Sequence, residues 1–163
     1  MIKKLQTIIA VILFWPHLLL FAMSDKKHTI AKDLYVRRTF KTNRLSQYLD
    51  LAYELFGNKY FRTLFYFRTH GLVSKLLRVV YPKHASCTID IHTKIGSGLI
   101  LAHPYATILN AESIGDDVYV NHLVTLGEKN GQRPIIGNGV ELHANATVIG
   151  GVTIGDYAVI GAG

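Results

Sequence analysis

The 163-residue chain has a single cysteine, Cys87, which excludes an internal disulfide and fits a reducing compartment. Cys87 stands among small and apolar residues, the setting of a buried, inert thiol rather than a nucleophile. No low-complexity tract interrupts the chain, and no recognised nucleic-acid-binding motif occurs in it. Acidic residues are scarce at one end: residues 1–83 hold 15 Lys and Arg against 4 Asp and Glu, a net of +11. Residues 84–163 hold 3 against 7, a net of −4, so only the first part is drawn to anionic surfaces.

What is present divides at the same place. Residues 1–23 open with Lys3 and Lys4 and continue as an apolar stretch of marginal membrane-spanning length. The stretch also has the form of a secretory signal, with Ala22-Met23-Ser24 as a cleavage site. Pro16 inside it argues against one smooth spanning helix, so a hydrophobic helix associated with a membrane or packed on its own protein is expected. Residues 24–83 form a basic helical region: Ile30, Leu34, Leu45, Leu49, Leu55, Phe61, Phe65 and Leu76 fall at helical intervals. Ser24 or Asp25 is placed to cap a helix, with breaks at Gly57-Asn58 and Gly71. Lys32, Arg37, Arg38, Lys41, Arg44, Arg62 and Arg68 interleave with aromatics, a pattern that points to anionic headgroups.

In residues 84–163 the period changes. Ile89, Ile95, Leu101, Ile108, Ile114, Val120, Leu126, Ile136, Leu142, Val148, Ile154 and Ile160 are spaced by six residues in nine of eleven intervals, the others being seven and ten. An amphipathic helix repeats its apolar face every three or four residues, so this spacing excludes one. It matches a parallel β-helix with three hexads per coil, each aliphatic pointing inward and a glycine often following at the corner. The hexads beginning at Leu101, Val120, Leu142 and Ile160 then share one face. His103 and His122 become third in their hexads, stacked about 4.8 Å apart on adjacent rungs, with Ala144 and Ala162 continuing the column. Two stacked imidazoles favour the neutral form that a general base requires. The ten-residue interval between Leu126 and Ile136 extrudes a corner loop of about four residues, a common place for binding groups.

The hexads, with "GLILAHPYATILN" and "VNHLVTLGEKNGQRPIIGNGVELHANATVIGG", resemble the serine acetyltransferase-like branch of the hexapeptide acyltransferases over residues 86–163. "PHLLLF" and "YFRTLFYFR" resemble the short N-terminal parts of bacterial surface-polysaccharide acetyltransferases in that branch. The resemblance implies a left-handed parallel β-helix, although parallel crossovers are otherwise right-handed. It also implies a homotrimer with sites in the clefts between subunits, acetyl-CoA as co-substrate, and no metal. His103 matches the family's general base, and His122 matches a histidine that polarises the site or contacts the acceptor. Ala144 and Ala162 match backbones along the CoA pantetheine arm, and Asp90 is a partner for His103. Ala102 stands where soluble serine acetyltransferases have an aspartate. Gln132 and Arg133 stand where they have an arginine and a histidine, so Arg133 is left to bind substrate. These departures favour a surface-glycan sugar hydroxyl over L-serine. Relatives continue past Gly163 with a further coil and a basic tail. Because acetyl-CoA is intracellular, residues 1–23 are read as an anchor on the cytoplasmic side of the membrane. The competing reading is a non-catalytic trimeric scaffold at the membrane. A third, a metal site, needs His92 or His143 of a neighbouring subunit to join His103 and His122.

Overall fold

The computed structural model describes residues 2–36 and 44–163, the Arg44 side chain excepted. Contacts divide the chain into two compact units, Met1–His84 and Ala85–Gly163.

The first unit is helical: α1 (Ile2–Met23), α2 (Lys27–Tyr35), α3 (Arg44–Gly57), α4 (Lys59–Arg68) and α5 (Leu72–Val80). Asn58 ends the turn after α3 by capping α4, its Oδ1 accepting from the Tyr60 and Phe61 amides at 3.0 and 3.1 Å. A cap of this kind stabilises a helix by about 1 kcal/mol. Gly71, with φ +144°, supplies the backbone turn that opens α5. α1 runs unbroken through Pro16, contrary to the interruption expected from that residue. An interior proline costs roughly 3 kcal/mol, and packing of one helix face offsets it. That face carries Ala10, Phe14, His17 and Phe21, all buried, against Leu51, Leu55, Phe61 and Phe65. The opposite face leaves Ile8, Ile12, Trp15 and Leu19 exposed at helical spacing.

Two of the basic residues expected to face lipid are instead buried in this unit. Arg68 forks onto Asp33, with Nε–Oδ2 at 2.9 Å and a second contact at 3.2 Å, and Arg62 lies 5.8 Å from the Phe14 ring. Pairing lets a guanidinium be buried where an isolated charge could not be. Arg37, Arg38, Lys41 and the Arg44 side chain lie outside the described residues. His17 Nε2 and the Tyr66 hydroxyl are 2.7 Å apart, and that hydroxyl donates to the Tyr81 carbonyl at 2.8 Å. Tyr66 has spent its proton, so His17 Nε2 is the donor. Burial, helped by the nearby Arg62 charge, pushes His17 down to about 4, and burial pushes Tyr66 up to about 12.

The second unit is a parallel β-solenoid of about four turns, the architecture of the left-handed hexapeptide-repeat β-helix. Its strands are β1 (Cys87–Ile89), β2 (Lys94–Ile95), β3 (Ile100–Leu101), β4 (Thr107–Leu109), β5 (Ser113–Ile114), β6 (Tyr119–Val120), β7 (Thr125–Gly127), β8 (Ile135–Ile136), β9 (Glu141–Leu142), β10 (Thr147–Ile149), β11 (Thr153–Ile154) and β12 (Val159–Ile160). They form three faces of four strands: β1-β4-β7-β10, β2-β5-β8-β11 and β3-β6-β9-β12. On the third face Leu101, Val120, Leu142 and Ile160 are in register, as the hexad count expects.

The first face differs by one residue from expectation. Ile89, Leu109, Leu126 and Val148 are the register partners, so Leu109 fills the interior and Ile108 points out. Leu109 is fully buried and Ile108 is 47% exposed. Side chains alternate along a strand, so a slip of one residue exchanges inside for outside. Cys87 is buried, at the start of β1.

The corner between the second and third faces carries a ladder of polar side chains. Asp116 Oδ1 accepts from the Ser97 amide, Asn138 Oδ1 from the Asp116 amide, and Asp156 Oδ1 from the Asn138 amide, at 2.6 to 2.9 Å. A glycine precedes each rung, and at Gly96, Gly115 and Gly137 the next coil is too close for a side chain. A Cβ on Gly115 would lie 2.7 Å from the Asn138 amide nitrogen.

Candidate active site

The candidate residues sit at two corners of the solenoid. His103, His122, Ala144 and Ala162 all follow strands of the third face and lie at its corner with the first face. Backbone hydrogen bonds set the order within that corner. The amides of Asn145 and Gly163 reach back one coil, to the carbonyls of His122 and Ala144. One coil earlier, the Leu123 amide reaches Tyr105 and not His103. The column is therefore Tyr105–His122–Ala144–Ala162.

His103 and Pro104 form a two-residue insertion, which corrects the reading of His103 and His122 as equivalent hexad positions with one extra residue between them. Eight residues separate the inward Leu101 and Leu109, where six separate Val120 and Leu126. The insertion projects from the same corner, so His103 and His122 still share one edge although they are not direct rung neighbours. Its backbone is left-handed at His103, as it is at other corner residues such as Leu123 and Asn145. His103 has φ +50°, the left-handed region that costs a non-glycine residue about 1–2 kcal/mol. His103 is exposed while Pro104 beside it is buried and holds the bulge down.

Asp90 and Arg133 occupy a different corner, between the first and second faces. Asp90 follows β1, and Arg133 ends the segment that leads into β8. Arg133 Nη1 lies 3.7 Å from Asp90 Oδ1. Within one chain Asp90 thus meets Arg133 and is no partner for His103, because the width of the first face separates the two corners. Nearby, a hydrogen bond from Lys94 at 3.0 Å and the Lys94 charge hold the Glu112 carboxyl below the usual carboxylate range.

The extruded loop before Arg133 is a tight hairpin turn. Lys129 and Gln132 exchange both backbone hydrogen bonds, and Asn130 and Gly131 have φ of +54° and +75°. An Asn-Gly pair in that geometry is the favoured two-residue turn. The turn lies over Gly151, where an added Cβ would come within 2.8 Å of Gln132 Oε1.

Among the described residues no group of three His, Cys, Asp or Glu side chains could hold a metal ion. His143 contacts Glu141 at 3.1 Å and the Tyr119 ring at 5.9 Å, and the His92 amide donates to Asp90 at 2.9 Å. Hexad counting did not single out Asn121 or Tyr105. Asn121 is visible in the sequence only as the residue before His122, and Tyr105 enters the column only once the insertion is located.

Residues 133–163 match the bacterial transferase hexapeptide family of six repeats. The chain is 35% identical over 92 residues to the Escherichia coli (strain K12) protein assigned as colanic acid biosynthesis acetyltransferase WcaB. That match covers 54% of this chain and 57% of WcaB. The chain is 38% identical over 105 residues to the serine acetyltransferase of Helicobacter pylori (strain ATCC 700392 / 26695), covering 60% and 57%. It thus spans little more than half the length of these relatives. The fold also matches the crystal structure of a Brucella abortus serine acetyltransferase in complex with coenzyme A. The TM-score is 0.62 at 22% identity, over 88% of this chain and 62% of that one.

Proposed function

We propose that the chain carries an acetyl-CoA-dependent O-acetyltransferase, with His103 as general base at the corner it shares with His122. The observation that carries this reading is the corner itself: an exposed histidine on a two-residue insertion stands beside a column that ends in the small residues Ala144 and Ala162. Small side chains leave room for a long, flexible thiol arm to lie against the backbone, and coenzyme A has one. The relatives named as acetyltransferases support the same chemistry. In the reaction the acceptor hydroxyl gives its proton to His103 as its oxygen attacks the thioester carbonyl carbon. Backbone amides or the extruded loop would stabilise the developing oxyanion. The C–S bond then breaks, and the coenzyme A thiolate leaves with the proton from the imidazolium. The products are an O-acetyl ester and free coenzyme A.

A sugar hydroxyl of a surface glycan is the favoured acceptor, with L-serine the other candidate. Support comes from Ala102, Gln132 and Arg133, which replace the residues that resemblance to serine acetyltransferases would require. The placement of Asp90 and Arg133 on a second edge fits a homotrimer in which that edge faces the His103 edge of a neighbouring subunit. Arg133 would then reach the acceptor from across the cleft. The test is incubation with acetyl-CoA and a panel of L-serine, nucleotide sugars and oligosaccharides, read by mass spectrometry and thiol release. Native protein should acetylate one class of acceptor and His103→Ala should not. A protein inert with every acceptor would instead be the non-catalytic scaffold, and acetyl transfer unaffected by His103→Ala would remove His103 as the base.

The helical unit belongs on the cytoplasmic face of an anionic membrane, with α1 lying in the interface. α1 is long and apolar enough to cross a bilayer, but its buried face holds His17 and packs on helices that carry buried charge. Spanning would tear that packing apart, whereas an in-plane helix keeps it and presents Ile8, Ile12, Trp15 and Leu19 to lipid. Lys3 and Lys4 at one end, and Lys26 and Lys27 just past the other, suit anionic headgroups. Trp15 is the only tryptophan, so its emission reports directly. It should shift to the blue with phosphatidylglycerol vesicles and not with neutral ones. An unchanged spectrum and no co-sedimentation would remove the membrane from the account.

A further inference from the structure

Two groups of His122 converge on a single atom. Its backbone amide lies 2.8 Å from Asn121 Oδ1, and its ring Nδ1 lies 2.7 Å from the same oxygen. A backbone N–H can only donate, so the atom it meets must be the amide oxygen of Asn121 and not the nitrogen. An amide oxygen can only accept, so the ring nitrogen facing it must carry a proton. In the neutral imidazole that leaves Nε2 as a bare lone pair. Among the described residues Nε2 has no protein partner.

Asn121 is itself held from both sides. Its amide donates to the Leu142 carbonyl at 2.9 Å, and its carbonyl accepts from Thr107 Oγ1 at 3.2 Å. Thr107 is fully buried. These bonds hold the Asn121 backbone, the His122 amide holds the side-chain oxygen, and that oxygen settles the state of His122. His103 has no such device, since among the described residues nothing bonds its ring.

We propose that Asn121 is a positioning residue that locks His122 as the Nδ1–H tautomer. His122 Nε2 then accepts a hydrogen bond from a donor group on the acceptor molecule, and does not donate to the thioester carbonyl of acetyl-CoA. The substrate half of this rests on the acetyltransferase reading; the tautomer half does not. A sugar acceptor offers a second hydroxyl for the purpose, and L-serine offers an ammonium.

Long-range proton–nitrogen spectra of the full chain test it, with the His122 signals assigned by their loss in His122→Gln. Native protein should show His122 as Nδ1–H above the imidazole titration. Asn121→Leu should release it towards Nε2–H, and Asn121→Asp, which keeps an accepting oxygen, should retain the native tautomer. An Nε2–H signal in the native protein overturns the proposal, as does a spectrum that Asn121→Leu leaves unchanged. Should Asn121→Leu not fold, the native and Asn121→Asp spectra still decide. In kinetics Asn121→Leu should raise KM for the acceptor about tenfold, the equivalent of one hydrogen bond, and leave KM for acetyl-CoA alone. A rise confined to acetyl-CoA overturns the substrate half. Absence of acetyl transfer alongside an Nδ1–H signal overturns the transferase reading and leaves the Asn121–His122 lock standing.

Discussion

Deleting His103 and Pro104 together should leave the solenoid folded and remove its activity. After the deletion, Leu101-Ala102-Tyr105-Ala106-Thr107-Ile108-Leu109 has the same length as Val120-Asn121-His122-Leu123-Val124-Thr125-Leu126, with which it already pairs. Leu101 and Leu109 keep their register partners, and Ala106 at φ +50° keeps the left-handed corner that Leu123 and Asn145 occupy at +60° and +65°. The deletion gives up the hydrogen bond from the Tyr105 amide to the His103 carbonyl, worth about 1 kcal/mol. It also removes the left-handed His103, a relief of about 1–2 kcal/mol. The net change should fall within about 1 kcal/mol of zero, a shift of no more than about 8 °C in Tm for a unit of this size. Deleting Asn121 and His122 is the contrast. Four residues must then do the work of six, and three hydrogen bonds at 2.9 to 3.2 Å are lost, at about 3 kcal/mol together. Thermal unfolding followed by circular dichroism compares the two. The register assignment is refuted if the first deletion unfolds the solenoid or if both deletions behave alike.

Four further outcomes follow from the structure. In the acetyl transfer assay, His103→Ala should lower kcat about 10²–10⁴-fold, the usual worth of a general base, while acetyl-CoA binding by calorimetry stays unchanged. Gly115→Ala should destabilise the solenoid by about 1–3 kcal/mol, because its Cβ meets the next coil at 2.7 Å. Gly155→Ala, with nothing within 4 Å, should be near neutral in the same denaturation experiment. His17 is held down to about 4 by burial, so the unfolded chain binds more protons than the folded one between about pH 6.5 and 4. Stability should therefore be full above pH 6.5 and fall by about 3 kcal/mol as pH drops through 4, and a urea titration series of native protein against His17→Phe should show the slope flattened in the variant.

The spacing of aliphatic residues alone determined that the second part is a three-sided solenoid. An inward side chain must recur each time the backbone turns a corner, and only a six-residue step satisfies that here. The extruded loop between Leu126 and Ile136 was legible for the same reason, as a step too long for the rung beneath it. The shared edge of His103 and His122 followed from counting hexads.

What the spacing could not decide was where the surplus residues of the first complete coil lie. Ile108 and Leu109 are both apolar and adjacent, so either satisfies the pattern, and the choice moves every neighbour between core and solvent. The hydrogen-bond ladder made that choice by pairing Leu109 with Leu126 and the Leu123 amide with Tyr105. The charged pairs were equally hidden. Arg68 with Asp33 and Arg133 with Asp90 are joined across long stretches of chain that no local period describes. Period is a property of one strand and its corner, and sequence carries it. Register and pairing are properties of two segments that meet only when the chain has folded, so the tertiary structure alone decided them.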